Sequence, residues 1–152
     1  MRALAVLFGF VAGLTVVPAS LLPALAAGHA AAPIRVAPAD EYFGRLKMSI
    51  LGIRNQLRDL GLRLQYAPDK GEAVLGSAAM VEDALRDWEH KYPADPWLAK
   101  SVYELTSLYA RVHTALGQQN AARTLRWLLA RYGRTAYGSQ ARMQIVPQVG
   151  VR

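Results

Sequence analysis

From Phe43 onward the large apolar residues return every three or four positions, a spacing that confines the chain to amphipathic helices. Phe43, Leu46, Ile50, Ile53, Leu57, Leu60 and Leu64 fall on one stripe and predict a first helix from Asp40 to about Gln65. Val74, Ala78, Val81, Leu85, Trp88 and Tyr92 form a second stripe, which Pro93 ends. In the turn Pro93-Ala94-Asp95-Pro96, Asp95 suits an N-cap and Pro96 the first helical position. Leu98, Val102, Leu105, Tyr109, Val112 and Leu116 then mark a third helix stopping at Gly117. Ala121, Leu125, Leu128 and Tyr132 mark a fourth, and Tyr137, Ala141 and Ile145 a shorter fifth that Pro147 and Gly150 end. Short connections make neighbours antiparallel, so the expected fold is all-α: two helical hairpins and a terminal helix over residues 40–147, with 148–152 a disordered tail. Gly44, Gly52 and Gly61 inside the first helix imply close backbone packing there. The first stripe has two uses: packing on the second helix, or a homodimer through Phe43, Leu46, Ile50, Ile53 and Leu57.

Ahead of this domain, one cation, Arg2, precedes an uncharged apolar stretch that runs through Leu25. Pro18 and Pro23 interrupt it, and Ala24-Leu25-Ala26 offers the small residues a signal peptidase accepts, so residues 1–27 read as a signal peptide. An uncleaved membrane anchor is the alternative. Residues 28–39, rich in Ala and Pro, read as a flexible linker. The expected location is therefore periplasmic or secreted.

The chain of 152 residues has no cysteine, which excludes disulfide stapling, thiolate metal sites, a thiol nucleophile and a lipid-anchoring cysteine. Its 18 Lys+Arg outnumber 11 Asp+Glu, and the excess is uneven. All the acids lie before Leu105, whereas Leu105 to Arg152 holds seven Arg and none, so the C-terminal part is expected to face anions. Nucleic acid is not an expected partner, because a secreted chain seldom meets it.

No constellation of residues specifies a reaction. Asp83, Asp87 and His90 share a face of the second helix, but it lies opposite the core stripe and is expected to be a solvated face, with Glu82 paired to Arg86 and Asp87 to Lys91. His113 lies near the third helix's core stripe and reads as a half-buried structural residue. Ser101, Ser107 and Ser139 lack a nucleophile-elbow setting, and there is no phosphate-binding glycine loop. Hence neither catalytic residues nor cofactor nor metal is expected. Two helical faces stand out as binding surfaces. Lys100, Tyr103, Ser107 and Arg111, with Thr114, form the polar face of the third helix. Arg123, Trp127 and Arg131 follow at i, i+4, i+8 on the fourth, where Trp127 either packs beneath the fifth helix against Tyr137 or Ile145, or stands out as an anchor flanked by guanidiniums.

Leu85 to Pro93 aligns with Leu125 to Gly133 at a displacement of 40, with Leu, Arg and Tyr identical, Lys91 matched by Arg131 and Trp97 by Tyr137. In the third and fourth helices Val102, Leu105, Tyr109, Ala121, Leu125, Leu128 and Gly133 stand at the signature offsets of the tetratricopeptide repeat, which residues 74–140 resemble over about two units. The interval from Tyr109 to Ala121 exceeds that family's by three residues, as a helix longer by about one turn would explain. The Lys91-Tyr92-Pro93 and Arg131-Tyr132-Gly133 helix ends are similar to those of bacterial envelope members, the outer-membrane assembly lipoprotein and the cell-division coordinator of the Tol-Pal system. The resemblance implies a short right-handed superhelix whose first helices line a concave groove. It also implies a non-enzymatic adaptor for another envelope protein. The alternative is a peripheral binder of anionic lipid or cell-wall polymer through the Arg-rich C-terminal helices.

Overall fold

In the computed structural model, residues 35–150 are described; residues 1–27, expected to be a signal peptide, and most of the expected 28–39 linker lie outside them. A two-stranded antiparallel hairpin, β1 (Tyr42–Phe43) and β2 (Met48–Ser49), opens the fold, with Tyr42 opposite Ser49 and Phe43 opposite Met48. Then follow α1 (Ile50–Tyr66), a 3-10 turn at Pro68–Lys70, α2 (Gly71–Lys91), α3 (Trp97–Ala110), α4 (Ala115–Tyr132), α5 (Ala136–Gln144) and the single turn α6 (Val146–Val149). The all-α expectation holds apart from the small hairpin. Successive helices pack as hairpins α1/α2 and α3/α4, α3 also packs on α1 and α5, α2 touches α4, and the single turn α6 follows α5 directly and touches α4. The odd-numbered helices thus form one layer, with α2 and α4 in the other.

The core follows the sequence stripes: Ile53, Leu60, Val81, Leu85, Trp88, Leu98, Val102, Leu105, Tyr109, Leu125 and Leu128 have no solvent-exposed surface. Apolar burial of this kind stabilises by about 25 cal/mol per Å². The 40-residue correspondence has a structural counterpart. Leu85 and Leu125 occupy matching buried positions, as do Trp88 and Leu128. Forty residues apart as well, Asp95 Oδ1 accepts from the Trp97 N–H at 3.0 Å and Thr135 Oγ1 from the Gly138 N–H at 3.2 Å, each at the start of an odd-numbered helix.

The first correction concerns residues 40–49, which are not helical. Gly44 has φ of +68° and Lys47 of +52°, so the chain turns back here, and the first helix starts only after Ser49, whose Oγ accepts from the Gly52 N–H at 3.1 Å. A Cβ on Gly44 would lie 2.8 Å from Ala84 Cα, so the turn sits directly on the α2 backbone. Of the stripe proposed for a homodimer, Phe43, Ile53 and Leu57 are buried in the chain's own core, Ile50 is half-buried and Leu46 sits exposed in the hairpin loop. These five residues do not present one exposed apolar seam on this chain.

The second correction concerns the boundary between α3 and α4. The third helix ends at Ala110 and the fourth begins at Ala115, capped by Thr114, whose Oγ1 accepts from the Gly117 N–H at 3.3 Å. Gly117 is therefore in the first turn of α4, not a stop after α3; a Cβ there would collide with the Val112 carbonyl oxygen. Of the two helices α4 is the longer, with 18 residues against 14 in α3. His113 falls in the connection and is exposed, so it is not a half-buried structural histidine. Two segment boundaries also move. Ala37, assigned to the linker, is buried and donates its N–H to Asp95 Oδ2 at 2.9 Å. Gln148 and Val149, assigned to the tail, belong to α6.

Candidate functional site

The acids of α2 determine which cations remain at the surface. On one side of the helix Glu82 accepts from Arg123 Nη2 at 2.7 Å, Arg86 Nη2 at 3.3 Å and Tyr109 Oη at 3.4 Å. One turn-pair further on, Glu89 accepts from Trp127 Nε1 at 2.9 Å, Tyr132 Oη at 2.7 Å and Arg131 Nε at 3.1 Å. The Arg86 guanidinium lies 3.6 Å from the Trp127 ring centroid. Arg123, Trp127 and Arg131 are therefore joined as their sequence spacing suggested, but they clamp α4 to α2. Trp127 is 7% exposed, which removes it as an anchor for a partner, and Arg86 and Glu89 of α2 lie against it. Burial, with the Glu89 hydrogen bond and charge, holds the Tyr132 hydroxyl well above the ordinary phenol range. Burial and Glu82 do the same for Tyr109. The acid-free C-terminal part is thus partly neutralised by acids distant in sequence. Arg126 and Arg134 stay exposed, while Arg142 donates to the Gly133 carbonyl at 2.7 Å.

The adjacent face of α2 is only partly solvated. Asp83 accepts the Arg45 N–H at 2.8 Å and Asp87 the Gly44 N–H at 2.9 Å, so both carboxylates hold the turn of the β-hairpin. Lys91 pairs with Asp87 and with Glu41 at 3.3 Å each, and its ammonium lies 5.3 Å from the Phe43 ring centroid. Burial works against the Asp87 charge, but the Gly44 N–H and Lys91 outweigh it and hold the carboxyl below its ordinary value. His90 is exposed, and no group of three His, Asp or Glu with metal-ligating geometry occurs among the described residues.

The third-helix residues have a different setting. Lys100, Tyr103, Ser107 and Arg111 line an open cleft of about 650 Å³ whose other wall is the Leu51, Arg54, Asn55, Arg58 and Gly61 face of α1. Arg54 lies over Trp97 at 5.6 Å and Arg111 Nη2 donates to the Gly61 carbonyl at 3.1 Å, so α1 and α3 run side by side in the same direction and are tied at both ends. Leu57 and Leu108 form a buried apolar floor, and Leu51 lies 63% exposed at the rim. Tyr103 donates its hydroxyl to Gln144 Oε1 at 2.8 Å and packs on Tyr137, which links the cleft to α5. The Ser107 hydroxyl is spent on the Tyr103 carbonyl of its own helix, at 2.9 Å. Thr114, placed on the same face by its spacing, caps α4 instead.

Sequence reasoning did not anticipate the α1 wall, because helix one was assigned only a core stripe. Its second face was nonetheless legible: Leu51, Asn55 and Arg58 follow at i, i+4, i+7, with Arg54 between them. Among the described residues no helix is long and apolar enough to cross a membrane. Comparison with protein-family models, with curated proteins and with solved structures finds no match to this chain.

Proposed function

We propose that the chain is a non-enzymatic helical-repeat adaptor of the tetratricopeptide type, exported to the bacterial cell envelope, which holds a segment of another envelope protein in the cleft between α1 and α3. The observation that carries this reading is the cleft itself. It combines a polar, cationic rim with an apolar floor, and the odd-numbered helices that form it make up one continuous layer. Such a surface buries apolar area at its centre while its rim supplies hydrogen bonds and charge, the usual anatomy of a protein interface. Export rests on the uncharged N-terminal stretch behind Arg2.

A second reading draws on two exposed cations, Arg126 on α4 and Arg134 in the turn between α4 and α5: peripheral attachment to anionic lipid or cell-wall polymer. One experiment separates the two. The full chain is cross-linked in native envelopes and recovered beside an Arg58→Glu/Tyr103→Ala variant and an Arg126→Glu/Arg134→Glu variant, with partners identified by mass spectrometry. The adaptor reading expects defined proteins that disappear with the cleft variant and persist with the other. Salt-sensitive recovery in membrane or cell-wall fractions, lost only with Arg126→Glu/Arg134→Glu, would replace it with the second reading.

A further inference from the structure

On the adaptor reading, the charge and shape of the cleft narrow the class of partner. Four cations line it, Arg54, Arg58, Lys100 and Arg111, against one lining acid, Glu104. Lys100 already faces Glu104 at 3.7 Å and Arg58 faces Asp59 at 3.2 Å, which leaves the guanidiniums of Arg54 and Arg111 with only a ring and a carbonyl as partners. The imbalance arises from how the fold spends its acids. Four carboxylates of α2, Glu82, Asp83, Asp87 and Glu89, are spent on α4, on Tyr109 or on the hairpin, and none lines the α1/α3 cleft.

The walls are helices, with their backbone groups bonded internally, and no strand edge lies among the lining residues. An extended peptide would find no backbone ladder here and would leave its own N–H and C=O groups to water or to a few side chains. A helix brings its backbone bonds already made, and a groove between two side-by-side helices accepts a third by fitting ridges into grooves. The run from Leu51 to Gly61 spans about 15 Å at roughly 1.5 Å per residue, the length of about three helical turns.

We infer that the α1/α3 cleft binds an acidic amphipathic helix of about three turns from a partner protein, its apolar side on Leu51, Leu57 and Leu108 and its carboxylates toward Arg54, Arg58 and Arg111. The inference rests on the adaptor reading and adds to it the partner's charge and conformation.

Random peptides of about 14 residues, displayed on phage and selected on the immobilised full chain, test it. Selected sequences are expected to carry an excess of Asp and Glu with apolar residues at i, i+3, i+4 and i+7, and to gain helical circular dichroism when bound. Their affinity is expected to fall about tenfold or more with Arg54→Glu/Arg58→Glu, exposed substitutions that leave the core intact, and to weaken with added salt. Selected peptides that lose binding with Tyr103→Ala but carry no acidic excess, or ignore the Arg54→Glu/Arg58→Glu change, would overturn the acidic-helix inference and leave the adaptor reading in place. Peptides indifferent to Tyr103→Ala as well, with that variant's circular dichroism unchanged, would overturn both. Acidic peptides bound without helical signal would overturn the conformational part.

Discussion

Replacing Glu89 by Ala tests whether α2 and α4 are joined by a buried acid. In the folded chain this carboxylate, with a side chain 13% exposed, accepts from Trp127 and Tyr132, which are 7% and 8% exposed, and from Arg131. Truncation removes an ionised acceptor from two nearly buried donors. Each hydrogen bond of that kind contributes about 1.5 to 2 kcal/mol, so the two sum to about 3 to 4 kcal/mol, without any figure for the exposed Arg131. Glu89→Gln keeps one acceptor oxygen and should cost about 1 to 2 kcal/mol. With an urea slope of about 1.5 kcal/mol per M, the midpoint of Glu89→Ala should fall by about 2 M and that of Glu89→Gln by about 1 M, with the slope unchanged. Equilibrium urea unfolding followed by far-UV circular dichroism measures both. A shift under about 0.5 M for Glu89→Ala would show that water satisfies those donors as well as Glu89 does, and the clamp would lose its energetic role.

Other perturbations have equally definite outcomes. Gly44→Ala places a Cβ 2.8 Å from Ala84 Cα at φ +68° and should destabilise by at least about 2 kcal/mol. Gly76→Ala, on an open face of α2 with nothing within 4 Å, should stabilise by about 0.5 to 1 kcal/mol; chemical denaturation of the pair reads both. Burial raises the Tyr109 and Tyr132 hydroxyls in the folded state, so the stability they confer is complete below the ordinary phenol pKa of about 10 and is lost as pH climbs above it. Phenolate absorbance on rising pH should show these two titrating only as the helical signal collapses. The Asp87 pKa is depressed in the folded state, so its stabilisation holds at neutral pH and fades as pH falls through the ordinary carboxylate range. Asp83→Asn/Asp87→Asn should free the hairpin, seen as faster tryptic cleavage after Arg45 and Lys47 while α2 to α5 resist.

The helical stripes were legible because burial and period coincide: Val81, Leu85 and Trp88, or Leu98, Val102 and Leu105, lie where a 3.6-residue repeat puts them and are all fully buried. Periodicity misled at Phe43 and Leu46, where the 3-4 spacing continues through a turn. The deciding contacts there are Asp83 and Asp87, about forty residues away, taking the Gly44 and Arg45 N–H groups. Gly117 was taken for a helix stop, yet Thr114-Ala115-Leu116-Gly117 has the form of Ser49-Ile50-Leu51-Gly52 and Thr135-Ala136-Tyr137-Gly138, a hydroxyl N-cap with glycine three residues on. All three hydroxyls accept from those glycine N–H groups, so the start signal was present in triplicate and could have been read. Of the candidate surfaces, Lys100, Tyr103 and Arg111 were placed correctly on an open face. Arg123, Trp127 and Arg131 were grouped correctly, but their partners on α2 were not foreseen. Sequence shows which residues share a face of a helix; what covers that face depends on Glu82 and Glu89, roughly forty positions earlier.

The most direct test of the cleft as a binding surface is site-specific photo-crosslinking of the full chain in envelopes, with a benzophenone amino acid at position 58 in the cleft, at 126 on α4 or at 79 on the open face of α2. Discrete protein adducts from position 58, absent from 126 and 79, are the predicted result. Adducts confined to position 126, or equal labelling from all three, would contradict it.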